Sequence, residues 1–222
     1  TIDFIIEDSG CSAAIIDPDC NQNLVDVIEK KRLGTMISLN PTPPGWENYE
    51  EALENSNEGE FNPVSYKHGQ IAFLPYTSGS TGLPKGVLLT HEGMLWGIKS
   101  AQKYWPSKST DRSLVAGPLF HKNAMRVSIK PKLFVGGSVV ILPHFEPKLM
   151  LNALADYECT ETGGVPAMYR MMLAEKELLK KLQFPRLQCL EMGSAVVGAD
   201  LLNAVETAFG SNVEEAYGLT EG

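Results

Sequence analysis

Cysteine is scarce. The 222 residues contain four, Cys11, Cys20, Cys159 and Cys189, and no two form a Cys-x-x-Cys pair. That spacing excludes the usual zinc and thioredoxin-like patterns, and so few cysteines do not make a disulfide framework. They read as reduced thiols of a cytoplasmic protein. Long apolar runs are missing too. The most apolar stretch, 133–143, is eleven residues broken by Gly136, Gly137 and Ser138, short of the ~18 residues of a membrane span. No secretory leader pattern is visible. Basic residues are outnumbered, 19 against 27 acidic, for a net charge of −8. A broad nucleic-acid surface needs a basic footprint and is excluded.

What is present is ordinary globular material: 43% hydrophobic and 21% charged residues, enough to bury a core without metal or disulfide. Strand-like and helix-like segments alternate. Strands are expected at 13–16, 71–75, 87–89, 114–116, 139–142, 160–163, 187–192 and 213–216. Helices are expected at 23–31, with Leu24, Val27 and Ile28 on one face, and after Thr90, with Met94, Ile98, Ala101 and Trp105 on one face. Further helices are expected at about 123–134, at 147–157 and from 166, each of the last two with Pro as first residue, and at 198–209. Residues 40–65 read as a long connection with one helical turn near 49–53. The alternation implies an α/β fold of layered, largely parallel sheets flanked by helices.

One loop carries chemistry. Residues 76–86 read Tyr-Thr-Ser-Gly-Ser-Thr-Gly-Leu-Pro-Lys-Gly. Gly79, Gly82 and Gly86 permit close backbone approach, Thr77, Ser78, Ser80 and Thr81 supply hydroxyls, and Lys85 adds a cation. Such a run suits a polyphosphate cradled by backbone amides. It is not a Walker A loop, because Pro84 precedes the lysine and Gly86 follows it.

This string resembles the phosphate-loop signature of the adenylate-forming (AMP-binding) superfamily. Gly193-Ser194-Ala195, after a strand, resembles that family's adenine-binding turn, and Tyr217-Gly218-Leu219-Thr220-Glu221 resembles its YGxTE motif. The resemblance implies a core segment at 66–222 and a peripheral part at 1–65. It also implies that the small C-terminal domain, which follows YGxTE in the family, lies beyond Gly222. The expectation is therefore a piece of a larger domain.

The resemblance further implies roles. Thr77, Ser78, Gly79, Ser80, Thr81, Gly82 and Lys85 would hold the β- and γ-phosphates of ATP. Gly193, Ser194 and Ala195 would lie against the adenine, with Tyr217 stacked on the ring and Gly218 beside it. Thr220 would bond the α-phosphate and Glu221 would hold Mg²⁺. The implied reaction joins a small-molecule carboxylic acid to AMP, releasing pyrophosphate, then transfers the acyl group to coenzyme A.

Gly117-Pro118-Leu119-Phe120-His121 resembles the PLFH segment of acyl- and aryl-CoA ligases, whose His borders the carboxylate; a surface-turn histidine is the plainer reading. Amino-acid-adenylating domains usually carry Asp just after the corresponding Phe, so a substrate without an amino group is favoured. Gly163-Gly164-Val165-Pro166 and Met168, Met171 and Met172 resemble an acyl-pocket wall, although methionines at that spacing also serve as plain core. Two departures stand out: Val196-Val197 where the family often has Pro, and Lys67-His68-Gly69-Gln70 where it usually carries Asp. The alternatives are a non-catalytic nucleotide-binding module and an amino-acid adenylation domain.

Overall fold

The computed structural model describes residues 1–20, 22–31, 33–56, 59, 62–78, 82–121 and 123–221. They form two compact units, Thr1–Leu88 and Leu89–Gly222.

In the first unit the order is α1 (Ile2–Ser9), β1 (Ala13–Ile16), a 3₁₀ turn at Pro18–Cys20, α2 (Gln22–Lys31), β2 (Thr35–Ser38), β3 (Glu47–Asn48) and α3 (Tyr49–Glu54), then β4 (Ile71–Phe73), β5 (Tyr76–Thr77) and β6 (Lys85–Gly86). Strands β1, β2 and β3 pair in that order, all parallel. Ile16, Val25, Ile28 and Trp46 form the core, with Leu24 packed against it. Ile28 and Leu24 thus face inward as their spacing requires, joined by Val25. Helix α3 realises the turn expected near 49–53, because the Asn48 side chain accepts the Glu50 and Glu51 N–H groups at 3.0 and 3.1 Å. Helix α1 and strand β2 carry little local signal and are additions to the sequence reading.

The second unit opens with β7 (Leu89–Thr90) and α4 (His91–Tyr104), followed by β8 (Arg112–Val115), a π-helical segment (Ala124–Ile129) running into α5 (Lys130–Val135), β9 (Ser138–Ile141) and α6 (Pro147–Asp156). The chain continues with β10 (Glu161–Gly164), α7 (Pro166–Ala174), α8 (Lys176–Leu179), β11 (Cys189–Gly193), α9 (Ala199–Phe209) and β12 (Asn212–Ala216). The Thr90 hydroxyl accepts the Gly93 N–H at 3.0 Å, which starts α4 where the sequence places its cap. The expected apolar face of α4 is shorter than its spacing suggests, since Trp105 is 62% exposed.

Five strands form one sheet in the order β12-β11-β10-β8-β9, every neighbouring pair parallel. The layered, largely parallel α/β class read from the alternation is the class observed. Residues alternate across each strand. On one face Leu114, Leu190 and Met192 pack against Met150, Leu151 and Leu154 of α6, Tyr169 and Met172 of α7, and Leu201, Val205 and Phe209 of α9. Burying each such side chain contributes roughly 1.5–3 kcal/mol. The other face is mixed, with Val115 buried beside polar groups. Lys132 of α5, only 1% exposed, pairs with the Glu161 carboxylate at 2.6 Å and donates to the Ser107 hydroxyl at 2.6 Å.

The order decides where a ligand can sit. From β8 the chain moves to β9 on one side, then crosses back to β10 and steps to β11 and β12 on the other. Strands β8 and β10 are therefore parallel neighbours whose onward connections diverge. A crevice opens at the carboxyl ends of such a pair.

Candidate active site

In the first unit, the Gly/Ser/Thr run is not wholly a loop. Strands β5 and β6 pair antiparallel, Tyr76 opposite Gly86 and Thr77 opposite Lys85. The expected strand at 87–89 is correspondingly replaced by two short ones, β6 and β7. The packing there is tight: a side-chain carbon on Gly86 would lie 3.0 Å from a Leu74 methyl and 3.2 Å from the Tyr76 ring, so glycine lets the two arms close without displacing either. The Val87 N–H donates to the Pro75 carbonyl at 2.9 Å and continues the pairing. The Tyr76 hydroxyl donates to Asp8 at 2.7 Å, tying the hairpin to α1. Ser78 and Lys85 are exposed and Gly82 takes a φ of +92, a backbone that glycine adopts without strain. Gly79, Ser80 and Thr81 lie outside the described residues.

In the second unit, a cavity of about 210 Å³ occupies the carboxyl ends of β8 and β10. His121 and Pro118, in the turn after β8, border it, as do Gly163 and Gly164 of β10, Met168 of α7 and Ser194 after β11. The structure thus gathers four segments singled out from the sequence, separated by up to 73 residues between His121 and Ser194. The His121 turn closes through its own N–H to the Pro118 carbonyl at 3.0 Å. His121 Nδ1 accepts the Asn123 N–H at 3.3 Å. A neutral ring in that tautomer carries its proton on Nε2, where it is a donor. The Met168, Met171 and Met172 face divides: Met168 borders the cavity, Met172 is buried core and Met171 is half exposed.

Gly193 ends β11, and Ser194 follows with a left-handed φ of 65, uncommon for a residue with a side chain. Gly193 pairs with Ala216, the last residue of β12. Ser194-Ala195 and Tyr217-Gly218 are therefore the next residues out from two adjacent strand ends. Ala195, Gly218 and Glu221 are exposed, Thr220 is half-buried, and the Tyr217 ring is 90% exposed.

Two features, one lining the cavity and one behind it, are not in the sequence reading. The helix expected at 123–134 begins as π-helix, with the Lys130 N–H bonded to the Met125 carbonyl five residues back. This wide turn places Asn123, Val127 and Ser128 along the cavity. Pro131 was the available signal, since it has no N–H to continue an α-helical ladder. The second feature is Glu191. It stands opposite Gly163 in the sheet, inside the segment 187–192 that reads as a strand. Burial pushes its carboxyl up to about 7, Glu161 and Glu214 push the same way, and Arg126 and the Asn123 side chain oppose them. A lone acid in an apolar run was its signal.

A parallel α/β sheet with a crevice at its switch point defines the class, that of the open α/β sheets in which such a crevice is the usual ligand position. The comparisons are narrower. The family model for AMP-binding enzyme matches residues 1–222, and the chain belongs to that family. Feruloyl-CoA synthase of Amycolatopsis sp is 36% identical over 224 residues, covering 99% of this chain and 42% of the relative. 4-Coumarate–CoA ligase 1 of Arabidopsis thaliana is 29% identical over 190 residues, covering 82% of this chain and 33% of the relative. Among solved structures, the inhibitor-bound N-terminal domain of FACL13 from Mycobacterium tuberculosis superposes with a TM-score of 0.85 at 25% identity, over 99% of this chain and 54% of that one. ATP-bound MatB from Rhodopseudomonas palustris gives 0.82 at 28% identity, over 99% and 42%. The chain thus spans 42% of the length of the feruloyl-CoA synthase it matches. Among the described residues no helix is long and apolar enough to cross a membrane.

Proposed function

We propose that the protein carrying this chain is an acid–thiol ligase. A carboxylate oxygen of the substrate attacks the α-phosphorus of ATP, giving an acyl-adenylate and releasing pyrophosphate. The thiol of coenzyme A then takes the acyl group and releases AMP. The observation that carries this reading is the cavity at the β8–β10 switch point, bordered by His121, Gly163 and Ser194, in a member of the AMP-binding enzyme family.

The residues divide the work. His121, donating from Nε2, orients the substrate carboxylate. The acyl group occupies the cavity, whose Val115, Val127 and Met168 side chains give it an apolar wall. Thr77, Ser78, Gly82 and Lys85, with Gly79, Ser80 and Thr81, hold the phosphates; small residues and one cation suit an anion that must approach the backbone. Gly193, Ser194 and Ala195 take the adenine edge, and the exposed Tyr217 ring, beside Gly218, offers its face for stacking. Thr220 donates to the α-phosphate. Glu221, an exposed carboxylate, would hold Mg²⁺, which takes one or two protein carboxylates plus phosphate oxygens and would supply charge neutralisation for pyrophosphate. With a net charge of −8, the chain has no global attraction for a polyanion, so local donors and the metal must supply it.

ATP–pyrophosphate exchange by the protein, with aryl, fatty and amino acids in turn, tests the reading. Exchange driven by aryl or fatty acids, followed by thioester formation with coenzyme A, is the expected result. Exchange with amino acids alone would make it an amino-acid adenylation enzyme. ATP binding with no exchange for any acid would leave a nucleotide-binding module and overturn the ligase reading.

A further inference from the structure

Helix α1 ends on acids. Glu7 and Asp8 stand in its last turn, which holds no basic residue. The carboxyl end of a helix carries partial negative charge, so acids there are unfavourable. Glu7 is compensated: Lys31 of α2 pairs with it and with Asp3, the latter at 2.7 Å. Ile6, beside Glu7, packs against the core of the first unit. Helix α1 is thus a fixed part of that unit. Asp8 is exposed and takes its partner from far along the chain, accepting the Tyr76 hydroxyl at 2.7 Å across 68 residues of sequence. Helix stability does not account for an acid at position 8. The bond to Tyr76 does.

Tyr76 is the first residue of the Gly/Ser/Thr run. The ribbon that carries the run has two residues in each arm, and so short a ribbon has little stability of its own. Tyr76 supports it twice. Its ring lies against Gly86, the residue opposite, an aromatic covering a bare strand glycine. Its hydroxyl reaches the Asp8 carboxylate, and a hydroxyl donating to an ionised carboxylate makes one of the stronger hydrogen bonds. Burial raises the phenol above its ordinary value and Asp8 pushes the same way, so the donor keeps its proton. Thr77 and Ser78 follow Tyr76 directly, and Lys85 stands opposite Thr77. Where Tyr76 is held, these three groups are held with it.

We propose that Asp8 and Tyr76 are positioning residues for ATP: their hydrogen bond anchors the phosphate-binding hairpin to α1 and sets Thr77, Ser78 and Lys85 in place before the nucleotide arrives. This rests on the ligase reading above, in its assignment of the phosphates to the hairpin. Neither residue touches the reacting atoms. Ordering the hairpin in advance removes part of the cost that binding would otherwise incur. The effect therefore falls on ATP affinity and not on use of the acid.

Calorimetric titration of the whole protein with Mg-ATP, beside steady-state ATP–pyrophosphate exchange, tests this in Tyr76→Phe, Asp8→Ala, Asp8→Asn and the double variant Tyr76→Phe with Asp8→Ala. Tyr76→Phe keeps the ring on Gly86, and Asp8→Ala removes an acid from a helix end that disfavours it, so thermal melts should match the parent. Tyr76→Phe and Asp8→Ala should each weaken Mg-ATP binding about three- to tenfold, the range of one hydrogen bond, while KM for the acid stays within about twofold. The double variant should bind no more weakly than either single one, because both changes remove the same bond. Asp8→Asn, whose amide oxygen still accepts, should keep part of the affinity. ATP affinity unchanged in Tyr76→Phe and Asp8→Ala, or losses that multiply in the double variant, would overturn the proposal. So would a parallel rise in both KM values with a lowered melting temperature, the mark of general destabilisation. A parent that binds Mg-ATP yet exchanges with no acid would sink the ligase reading alone, and the titrations would still decide the anchor.

Discussion

A β-carbon on Gly193 would stand 2.7 Å from the carbonyl oxygen of Ala216, its partner in the neighbouring strand. No rotamer relieves a contact made by Cβ with backbone. Glycine here holds β11 and β12 at the spacing from which Ser194 and Tyr217 emerge side by side. Gly193→Ala is therefore expected to push the strand ends apart and to cost about 1–3 kcal/mol, the usual range for overpacking a filled site. Denaturant titration reads this directly, and a loss below about 0.5 kcal/mol, the scale of a neutral surface change, would contradict it.

Glu191 makes stability depend on pH. Its carboxyl ionises near 4.5 in an unfolded, solvated chain and at about 7 in the fold, chiefly because burial penalises the charge. Below about 4.5 both states hold the proton. Between these values the unfolded chain releases it first, so the fold loses stability as pH rises through the window. Glu191→Gln has no proton to lose. It should gain on the parent between pH 5 and 8, by up to about 3 kcal/mol at 1.36 kcal/mol per unit. Melting curves at the two pH values should diverge; equal differences at both would rule the effect out.

The buried pair of Lys132 and Glu161 joins α5 to the sheet at 2.6 Å. Burial raises the Glu161 carboxyl and Lys132 opposes the shift. Removing one partner leaves an uncompensated charge, so Lys132→Ala should cost about 3–5 kcal/mol. Lys132→Met with Glu161→Gln should cost clearly less, because no orphan charge remains. A double variant as unstable as the single one would show that packing of the lysine stem, and not charge pairing, holds α5 in place.

Lys85 is exposed, so Lys85→Ala should fold and melt like the parent. If its ammonium meets a phosphate, calorimetric titration with Mg-ATP should show affinity weakened about tenfold, as for one lost charge-assisted hydrogen bond. Superimposable titrations would remove Lys85 from the phosphate site.

Local physics was legible in the sequence. The Thr90 cap, the proline starts at Pro147 and Pro166, and Gly210 with its left-handed φ of 63 set helix boundaries, because each acts on its own few residues of backbone. The spacing of Leu24 and Ile28 marked the inward face of α2. The order of motifs placed the chain in its family. What the chain could not declare were relations between distant residues. Strand β10 pairs with β8 and not with its predecessor β9, and that choice creates the crevice. In the hairpin of β5 and β6, Gly86 packs closely against Leu74 and Tyr76. His121, Asn123, Gly163 and Ser194 share a cavity only once the sheet has formed. Glu191 is one acid in an apolar strand until register sets it opposite Gly163. Caps and periodicity are short-range and written in adjacent residues; strand order and register are set by non-local packing, which only the folded chain decides.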